Sequence, residues 1–579
     1  MARYGDAIFG RSGGNLKRGC ALCLAAGMVP GLLLCGLLFD WSFVTGQGPY
    51  WADPRGIVGG GEFDQAISMG GYFHFVRDNW RFPLFHVATL GAPGGNNILL
   101  ADSIPALALV GRLWYLATSD VVNLFGLWAV ACFVLNGVAF TAMTRAMGLR
   151  TVSGALASAA IGVSMPILLA RWGHPALCGQ FVIPLAIALH VRRLDPVFGA
   201  WRGWSVRAGL LAVLSLLINP YLCAMVVGIL FAALAQNVWT RPQDRWRPAA
   251  AGLMLAALLA VTVWGGGFLA TGFIASPAGY GVFGMNLASP LFPQMSGAFP
   301  AAAHFMIDGT GGQYEGFAYL GAGVLLLLVV AFSPGMGSPK LMLRRFAAGF
   351  LLMAAFVLFA ISHEIYFFKF HLGTIPLPGA MLDLADIFRA SGRFVWPACI
   401  AVTGGAVTAV GLRFGGWGAA ILLSAALLQW VDTAPLRAKI MDSVATMRTP
   451  VLAEHPWRAV ISRHQAVSVL PSPNCAGADD DKLWALRIKI VLQRLTGLEA
   501  VAIERPQLAR TRSDCPAEDA APRDIGADSP ILRVYLPGYG TFAGLGNAVR
   551  DQPNCRAWPD LVVCAAASVD LPETLRPVR

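Results

Sequence analysis

Long apolar runs separated by short polar segments fill the first three quarters of the 579-residue chain. Each run holds about 20 residues, enough for an α-helix to cross the ~30 Å hydrocarbon core of a bilayer. We therefore predict a mainly α fold, a polytopic helical membrane bundle, followed by a small α/β domain. The eleven predicted membrane helices lie near 20–39, 121–143, 152–170, 178–193, 207–219, 221–236, 249–274, 317–332, 346–362, 394–412 and 417–433.

The polar segments differ in charge between the two sides of the predicted bundle. Only 13% of the residues are charged, against about 25% in soluble proteins. Alternate loops are basic, which places them and the N-terminus in the cytoplasm and the C-terminus outside. The first helix is interpreted as a retained signal anchor, because no clear cleavage site follows it. The basic residues of the inner loops are Arg3, Arg11, Lys17, Arg18, Arg145, Arg150, Arg192, Arg193, Arg202, Arg207, Arg241, Arg245, Arg247, Lys340, Arg344, Arg345 and Arg413.

A further apolar stretch, residues 103–118, is a competing candidate for a span. It is short and has Arg112 at its centre. Counting it as a span would place the basic loops at 144–151 and 192–207 outside, against the positive-inside rule. We therefore expect a helix that lies along the outer interface.

The chain is predicted to divide into a membrane domain, 1–433, and a soluble α/β domain, 434–579. Residues 440–579 have no membrane-length run, and their 16 basic residues balance 16 acidic ones. The net charge of +11 thus belongs to the membrane part, where topology explains it, and no nucleic-acid role is expected. Strands are predicted at AVSVLP, ILRVYLPG and DLVVCAA, with a helix at DKLWALRIKIVLQRLTG. The even cysteine count fits disulfides and leaves three pairings open among Cys475, Cys515, Cys555 and Cys564.

Acidic side chains of the membrane domain collect on the predicted outer side. They lie in a large first loop (40–120), in the loop 275–316 and in the loop 363–393. Two polar breaks, RWGHPALCGQ and INPYL, face the same side. Ionisable groups beside a bilayer carry a high free-energy cost unless they face water or a substrate. We therefore expect a roofed cavity that suits a substrate with a lipid tail and a polar head.

The first loop resembles that of a bacterial family of polytopic membrane proteins of unknown function that is grouped with the GT-C glycosyltransferases. The matching strings are Asp64 and Gln65 followed by a glycine, then NWRFPL and APGGNNILLADSIP; RWGHPAL and FRASGRFVWP also match. The resemblance covers roughly residues 20–435. It implies a GT-C-like fold in the bacterial inner membrane, a catalytic acid in the first external loop and a polyprenyl-phosphate sugar donor. It further implies an acceptor approached from the periplasmic side, where the C-terminal domain would lie.

Two acids are the catalytic candidates. Asp64 would be the general base that takes a proton from an acceptor hydroxyl; alternatively, it caps a helix that begins at Gln65. Asp53 and Glu62 compete for the same role. Asp102 would be a catalytic partner or ligand; alternatively, it is the N-cap of a helix with Pro105 in its first turn.

The cationic candidates are Arg389 and Arg393, whose guanidinium groups suit the phosphate of a lipid carrier. The alternative is headgroup contact or pairing with Asp383 and Asp386. Further substrate-binding candidates, each with a plain structural alternative, are Arg171, His174, Glu315, His74 and Trp80, with Lys369 in reserve for phosphate.

A divalent cation, Mg²⁺ or Mn²⁺, is an open expectation, with Asp64, Asp102 and Glu315 as oxygen ligands. No other cofactor is predicted, since the chain has no Walker loop, no dinucleotide fingerprint of a soluble βαβ unit and no GxSxG elbow.

The preferred function is an inverting membrane glycosyltransferase. It would move a sugar from a polyprenyl-phosphate donor to an envelope glycan, lipid or protein. The alternatives are a transporter or flippase for lipid-linked saccharides, and a non-catalytic envelope assembly protein. The absence of a detectable internal repeat weakens the transporter.

Overall fold

The fold is seen in a computed structural model. It describes residues 15–46, 49–52, 63–88, 96–99, 101–193, 201–269, 279–305, 307–333, 346–445, 463–464, 466–470, 499–500, 531–535, 554–558, 561–565, 569 and 576–577. The described part is mainly helical. Its helices are α1 (Asn15–Leu38), α2 (Trp41–Val44), α3 (Pro49–Ala52), α4 (Phe63–Arg77), α5 (Pro105–Thr118), α6 (Phe125–Ala146), α7 (Val152–Val163), α8 (Pro166–Leu169), α9 (Val182–Arg193), α10 (Trp201–Ile218), α11 (Pro220–Thr240), α12 (Trp246–Gly266), α13 (Ala322–Ala331), α14 (Ala347–Ile361), α15 (Gly379–Asp386), α16 (Trp396–Arg413), α17 (Gly415–Asp432) and α18 (Ala434–Ala445).

Short 3-10 helices and strand pairs connect these elements. The 3-10 helices are Pro175–Gly179, Pro242–Asp244, Pro300–His304, Gln313–Gly316 and Ser391–Val395. Strand β1 (His86–Val87) pairs antiparallel with β2 (Asn96–Asn97), and β3 (Glu364–Phe367) with β4 (Phe370–Thr374).

Seven described helical segments are long and apolar enough to cross a membrane. Helices α17 and α18, bent by 51° at their junction, make eight if they count as one span. Three shorter helices, α7, α13 and α14, are also apolar. The chain is therefore plausibly membrane-embedded, while the count of eleven spans and the orientation stay predictions. The seven segments are Gly19–Leu38, Phe125–Ala146, Pro175–Arg193, Trp201–Ile218, Pro220–Thr240, Trp246–Gly266 and Ser391–Arg413.

The predicted span at 152–170 is broken in the structure. Helix α7 ends at Val163 and α8 begins at Pro166. Proline disfavours helical backbone at the residue before it and has no N–H to continue the ladder. The short helix α8 that follows the break ends at Leu169, two residues before Arg171.

The N-terminus of α13 is held by the end of α17. Gln429 Oε1 accepts from the N–H groups of Gly323 and Val324, at 3.0 and 3.2 Å, and Asp432 Oδ2 accepts from Ala322 N at 2.7 Å. The other oxygen of Asp432 accepts from Ser296 Oγ. These side chains satisfy backbone donors that a helix start leaves unpaired. They also attach the segment that carries Ser296 to the bundle.

Helix α5 covers most of the apolar stretch 103–118, the competing candidate for a membrane span. Its 14 residues fall short of a span. Arg112 is buried, donates to Val76 O at 2.7 Å and lies 5.4 Å from the ring centre of Trp80. On its other side Val110, Leu113, Trp114 and Leu116 are more than half exposed. This amphipathic arrangement agrees with a helix lying along an interface.

The described strands near the C-terminus are β5 (Ala466–Leu470), β6 (Glu499–Ala500), β7 (Ile531–Tyr535), β8 (Cys555–Trp558), β9 (Leu561–Cys564) and β10 (Arg576–Pro577). They form one six-stranded mixed sheet, in the order β10-β8-β9-β7-β5-β6. Strand β5 pairs parallel with β6 and β7, and the remaining pairs are antiparallel. The three predicted strands are confirmed as β5, β7 and β9. The predicted helix at 481–497 lies outside the described residues. Cys555 and Cys564 form a disulfide, whereas Cys475 and Cys515 lie outside the described residues.

Candidate functional site

A buried cluster of three charged side chains lies where three interhelical segments meet. Arg171 follows α8, Glu315 lies in the 3-10 helix Gln313–Gly316, and Arg393 lies in the 3-10 helix Ser391–Val395. Arg393 donates from Nε and Nη2 to the two oxygens of Glu315, at 3.0 and 2.7 Å. Arg171 donates from Nη1 to Glu315 Oε2 at 2.5 Å and from Nη2 to Tyr314 O at 2.6 Å. We call these three residues the Arg–Glu–Arg cluster.

The cluster is almost fully removed from solvent. The exposed fractions of the side chains are 4% for Arg171, 6% for Glu315 and 10% for Arg393. Burial opposes ionisation of Glu315, but the charges of Arg393 and Arg171 outweigh burial and hold the pKa of this carboxyl well below its ordinary value. With Glu315 ionised and both arginines protonated, the cluster carries a net charge of +1.

Two glycines allow the segments that carry Glu315 and Arg393 to touch. A Cβ added to Gly392 would lie 2.5 Å from the Cα of Gly316. Gly392 N also donates to Phe283 O at 3.0 Å. Only residues without a side chain let two backbones approach this closely. Gly392, directly before Arg393, and Gly316, directly after Glu315, are thus the local reason for the ion pair.

Tyr221 supports Arg393 from a third side, and sequence reasoning gave it no role. Its ring centre lies 4.8 Å from the guanidinium carbon of Arg393, and its hydroxyl accepts from Ala390 N at 3.1 Å. Asn219 caps α11 by accepting from Tyr221 N at 2.9 Å, with Pro220 at the first helical position. The string INPYL therefore carried a helix start that positions Tyr221.

Asp102 approaches the cluster from the first loop. Its carboxylate acts electrostatically on Arg393, and the residue is half-buried. The alternative of an N-cap is wrong, because Ile104 occupies that position and no side chain caps α5. Asp102 instead has φ 51°, a left-handed conformation that carries a steric cost for residues other than glycine. Its carbonyl accepts from Ser68 Oγ at 3.0 Å, which holds it against α4.

His174 borders the same cluster. It precedes the 3-10 helix Pro175–Gly179 and its backbone carbonyl accepts from Leu177 N. The side chain is half-buried and acts electrostatically on Glu315. Five sequence candidates thus meet at one end of the bundle: Arg171, Glu315 and Arg393 in direct contact, with Asp102 and His174 near them.

Arg389 stays close to this region without joining the cluster. Its guanidinium lies 5.4 Å from the ring centre of Phe283. Neither arginine of the pair pairs with Asp383 or Asp386 in the described part of the chain, so that alternative is wrong. Asp386 accepts from Tyr280 N at 2.6 Å instead. Lys369 lies in the turn between β3 and β4, over the ring of Phe370.

His74 and Trp80 have different surroundings from the cluster. His74 is 3% exposed inside α4, and burial, assisted by the charge of Arg77, lowers its pKa to about 3. Trp80 is exposed and contacts Arg112 and Phe75. The packed histidine is the structural alternative that the sequence had left open.

Asp64 lies in the first turn of α4, since the helix begins at Phe63 rather than at Gln65. Its side chain lies outside the described part, as do Asp53 and Glu62 entirely. Asp64 precedes Ser68 by about one helical turn, and Ser68 bonds the segment of Asp102. The backbone therefore brings position 64 to the neighbourhood of the first-loop segment that reaches the cluster.

Of the three predicted metal ligands, the structure changes the role of Glu315. Both oxygens of Glu315 already accept hydrogen bonds from arginines, so Glu315 is a poor ligand for a cation. Within the described ranges no three His, Cys, Asp or Glu side chains are grouped as metal ligands. Asp64 and Asp102 stay as candidates.

Four of the buried polar atoms without a hydrogen-bond partner in the described part lie on the cluster's segments or directly after them. They are Arg171 Nε, Gln313 Nε2, Ser391 Oγ and Trp396 Nε1. Leaving such a group unsatisfied costs about 1–3 kcal/mol, so water or a ligand is the expected partner. These atoms supply hydrogen-bond donors beside a net positive charge.

Comparison with known proteins identifies a family whose function is unknown. A search of curated proteins finds no match. The family described as "Domain of unknown function (DUF6311)" matches residues 28–434. That range includes the bundle, the first loop and all three residues of the Arg–Glu–Arg cluster. The chain therefore belongs to the DUF6311 family.

Proposed function

We propose that the protein is a membrane glycosyltransferase that uses a polyprenyl-phosphate-linked sugar donor. The observation that carries the proposal is the buried Arg–Glu–Arg cluster with the Asp102 carboxylate beside it, at one end of an apolar helical bundle. A cationic site next to an acidic side chain suits a reaction in which a phosphate leaves while a hydroxyl loses its proton.

The cluster is suited to hold a phosphate rather than a neutral sugar. Glu315 fixes both guanidinium groups in place and leaves an excess of one positive charge. Arg393 Nη1 makes no hydrogen bond to the described residues, and Arg171 Nε is buried without a partner there. Guanidinium donors match phosphate oxygens in geometry and charge. Glu315 accordingly positions the arginines instead of binding sugar.

The proposed reaction is a single inverting displacement. Asp64 or Asp102 takes the proton of an acceptor hydroxyl, whose oxygen then bonds to the anomeric carbon. The bond from that carbon to the donor phosphate oxygen breaks, and its electron pair leaves with the lipid phosphate. Arg393 and Arg171 stabilise the phosphate as its charge grows. A divalent cation bound by Asp64 and Asp102 would supply further stabilisation of the same charge.

The setting follows from the predicted topology. The cluster would lie at the external face of the bacterial inner membrane, where the donor's lipid tail can stay in the bilayer. The acceptor would be an envelope glycan, lipid or protein, and the domain at 434–579 would lie in the periplasm beside it.

Purified protein incubated with a panel of radiolabelled polyprenyl-phosphate sugars tests the proposal. Transfer or hydrolysis by the wild type, with loss of at least about 100-fold in Asp64→Asn or Asp102→Asn, supports it. The exposed Asp120 provides a matched control, and Asp120→Asn should retain activity. Undiminished turnover in both test variants refutes the base assignment. Donor binding without turnover in any acceptor mixture favours the transporter.

A further inference from the structure

A second polar region lies at the opposite end of the bundle from the Arg–Glu–Arg cluster. Helix α9 starts beside the 3-10 helix Pro175–Gly179 and ends at Arg193. The segment Pro175–Arg193 spans on the order of 25–30 Å. Arg145 lies likewise in the last turn of α6. This region is therefore separate from the proposed donor site.

A cavity of about 350 Å³ opens there between α1, α6, α9 and α10. Its volume is within the range of small-molecule pockets, about 300–1,000 Å³. Three arginines, Arg145, Arg192 and Arg207, line it, and no Asp or Glu occurs among its described lining residues. We call this cavity the basic pocket.

The charges of the basic pocket act on one another. Arg192 lies within electrostatic range of Arg145, Arg150 and Arg207. Their proximity allows one anion to interact with several guanidinium groups at once. Arg145 Nε is also buried without a hydrogen-bond partner in the described part, although its Nη1 donates to Arg150 O at 3.3 Å. An anionic acceptor at this place would interact with the clustered guanidinium groups and accept from Arg145 Nε.

The remaining walls identify the kind of anion. Leu24, Leu185, Leu189 and Leu211 face the same cavity, and all four helices that form it are candidate membrane spans. A small soluble anion gains no free energy from contact with apolar walls, whereas the acyl chains of a lipid bury apolar surface against them. Basic pockets between membrane helices bind phosphate headgroups.

We propose that the basic pocket binds an anionic phospholipid, with its phosphate on Arg145, Arg192 and Arg207 and its acyl chains along the four leucines. The inference is independent of the proposed glycosyl transfer. By the predicted topology the bound lipid belongs to the cytoplasmic leaflet. Its contribution is to hold together the ends of α6, α9 and α10 on the side of the bundle away from the Arg–Glu–Arg cluster.

Lipid retention measures this binding directly. Full-length protein is assembled in nanodiscs of phosphatidylcholine with or without phosphatidylglycerol and then extracted. Native mass spectrometry measures the mass of the protein together with any lipid that it retains. We expect the wild type to retain phosphatidylglycerol, and Arg145→Gln, Arg192→Gln or Arg207→Gln each to lower retention about fivefold. Arg202→Gln is the matched control, because Arg202 lies on α10 but does not line the pocket.

A second measurement separates a lipid from a free anion. Cys20 is a half-buried free thiol that lines the pocket, so alkylation by N-ethylmaleimide reports on occupancy. Phosphatidylglycerol should slow alkylation of the wild type, and inorganic phosphate should not. Equal lipid retention by the wild type and all three glutamine variants would overturn the proposal, as would equal protection by inorganic phosphate. Arg207 is exposed, so Arg207→Gln keeps the test valid if the more buried variants fail to fold.

Discussion

Glu315 accepts two hydrogen bonds from Arg393, although the two residues are 78 positions apart in the chain. Arg171, another 144 positions from Glu315, shares one of its oxygens. A single carboxylate therefore compensates two buried cations, which makes it the residue on which this end of the bundle depends.

Removing that carboxylate should destabilise the protein strongly. In Glu315→Gln both arginines stay buried without a counter-charge, and we expect the free energy of unfolding to fall by about 3–5 kcal/mol. Thermal unfolding in detergent, followed by intrinsic fluorescence, measures the change. Glu364→Gln is the control, since Glu364 pairs with His371 on a partly exposed hairpin and should contribute below about 1 kcal/mol. Equal losses in the two variants would contradict the role given to Glu315.

A methyl group at Gly392 should separate the segments that carry the ion pair. Gly392→Ala places its Cβ against the backbone of Gly316, where no side chain can move aside, so we expect a loss of about 1–3 kcal/mol. Proposed transferase activity should fall with it. Gly405→Ala, in α16, meets open space and should be neutral or slightly stabilising. If Gly392→Ala unfolds at the wild-type temperature, the close contact is not required.

His74 should make stability depend on pH. Its pKa in the folded protein is about 3, against about 6.5 in an unfolded chain. The unfolded state therefore binds more protons between these values, so stability is full above pH 6.5 and decreases as the pH falls. The loss approaches about 1.4 kcal/mol per pH unit. His74→Gln should flatten the profile of unfolding temperature against pH between 6.5 and 4, and His304→Gln, at an exposed position, should leave it unchanged. A profile that His74→Gln does not alter would assign the acid sensitivity to other groups.

Asp102 allows stability and activity to be separated. At φ 51° glycine fits the backbone without the steric cost that other residues carry. We expect Asp102→Gly to stay within about 1 kcal/mol of the wild type while losing the proposed transfer reaction. Unfolding temperature and turnover, measured on the same preparation, check this. Asp102→Gly with full activity would leave Asp64 as the only candidate base of the two.

The helical part of the fold could be predicted because apolar runs are local. The runs predicted near 221–236 and 394–412 coincide with α11 and α16 within a few residues. The break before Pro166 was missed, since a hydropathy pattern does not register a lost backbone donor. The pairing of Arg393 was missed for a different reason. The sequence suggested Asp383 and Asp386 as ion-pair partners because they are near Arg393 along the chain. Its actual partner, Glu315, lies in another loop, which only the packing of α13, α14 and α16 brings near.

The order of the three charged residues along the chain has a consequence for biosynthesis. Arg171 leaves the ribosome first, Glu315 follows, and Arg393 comes last. The cluster is therefore incomplete until translation has passed Arg393, and a product that ends before Glu315 lacks the carboxylate that compensates Arg171 in the full chain.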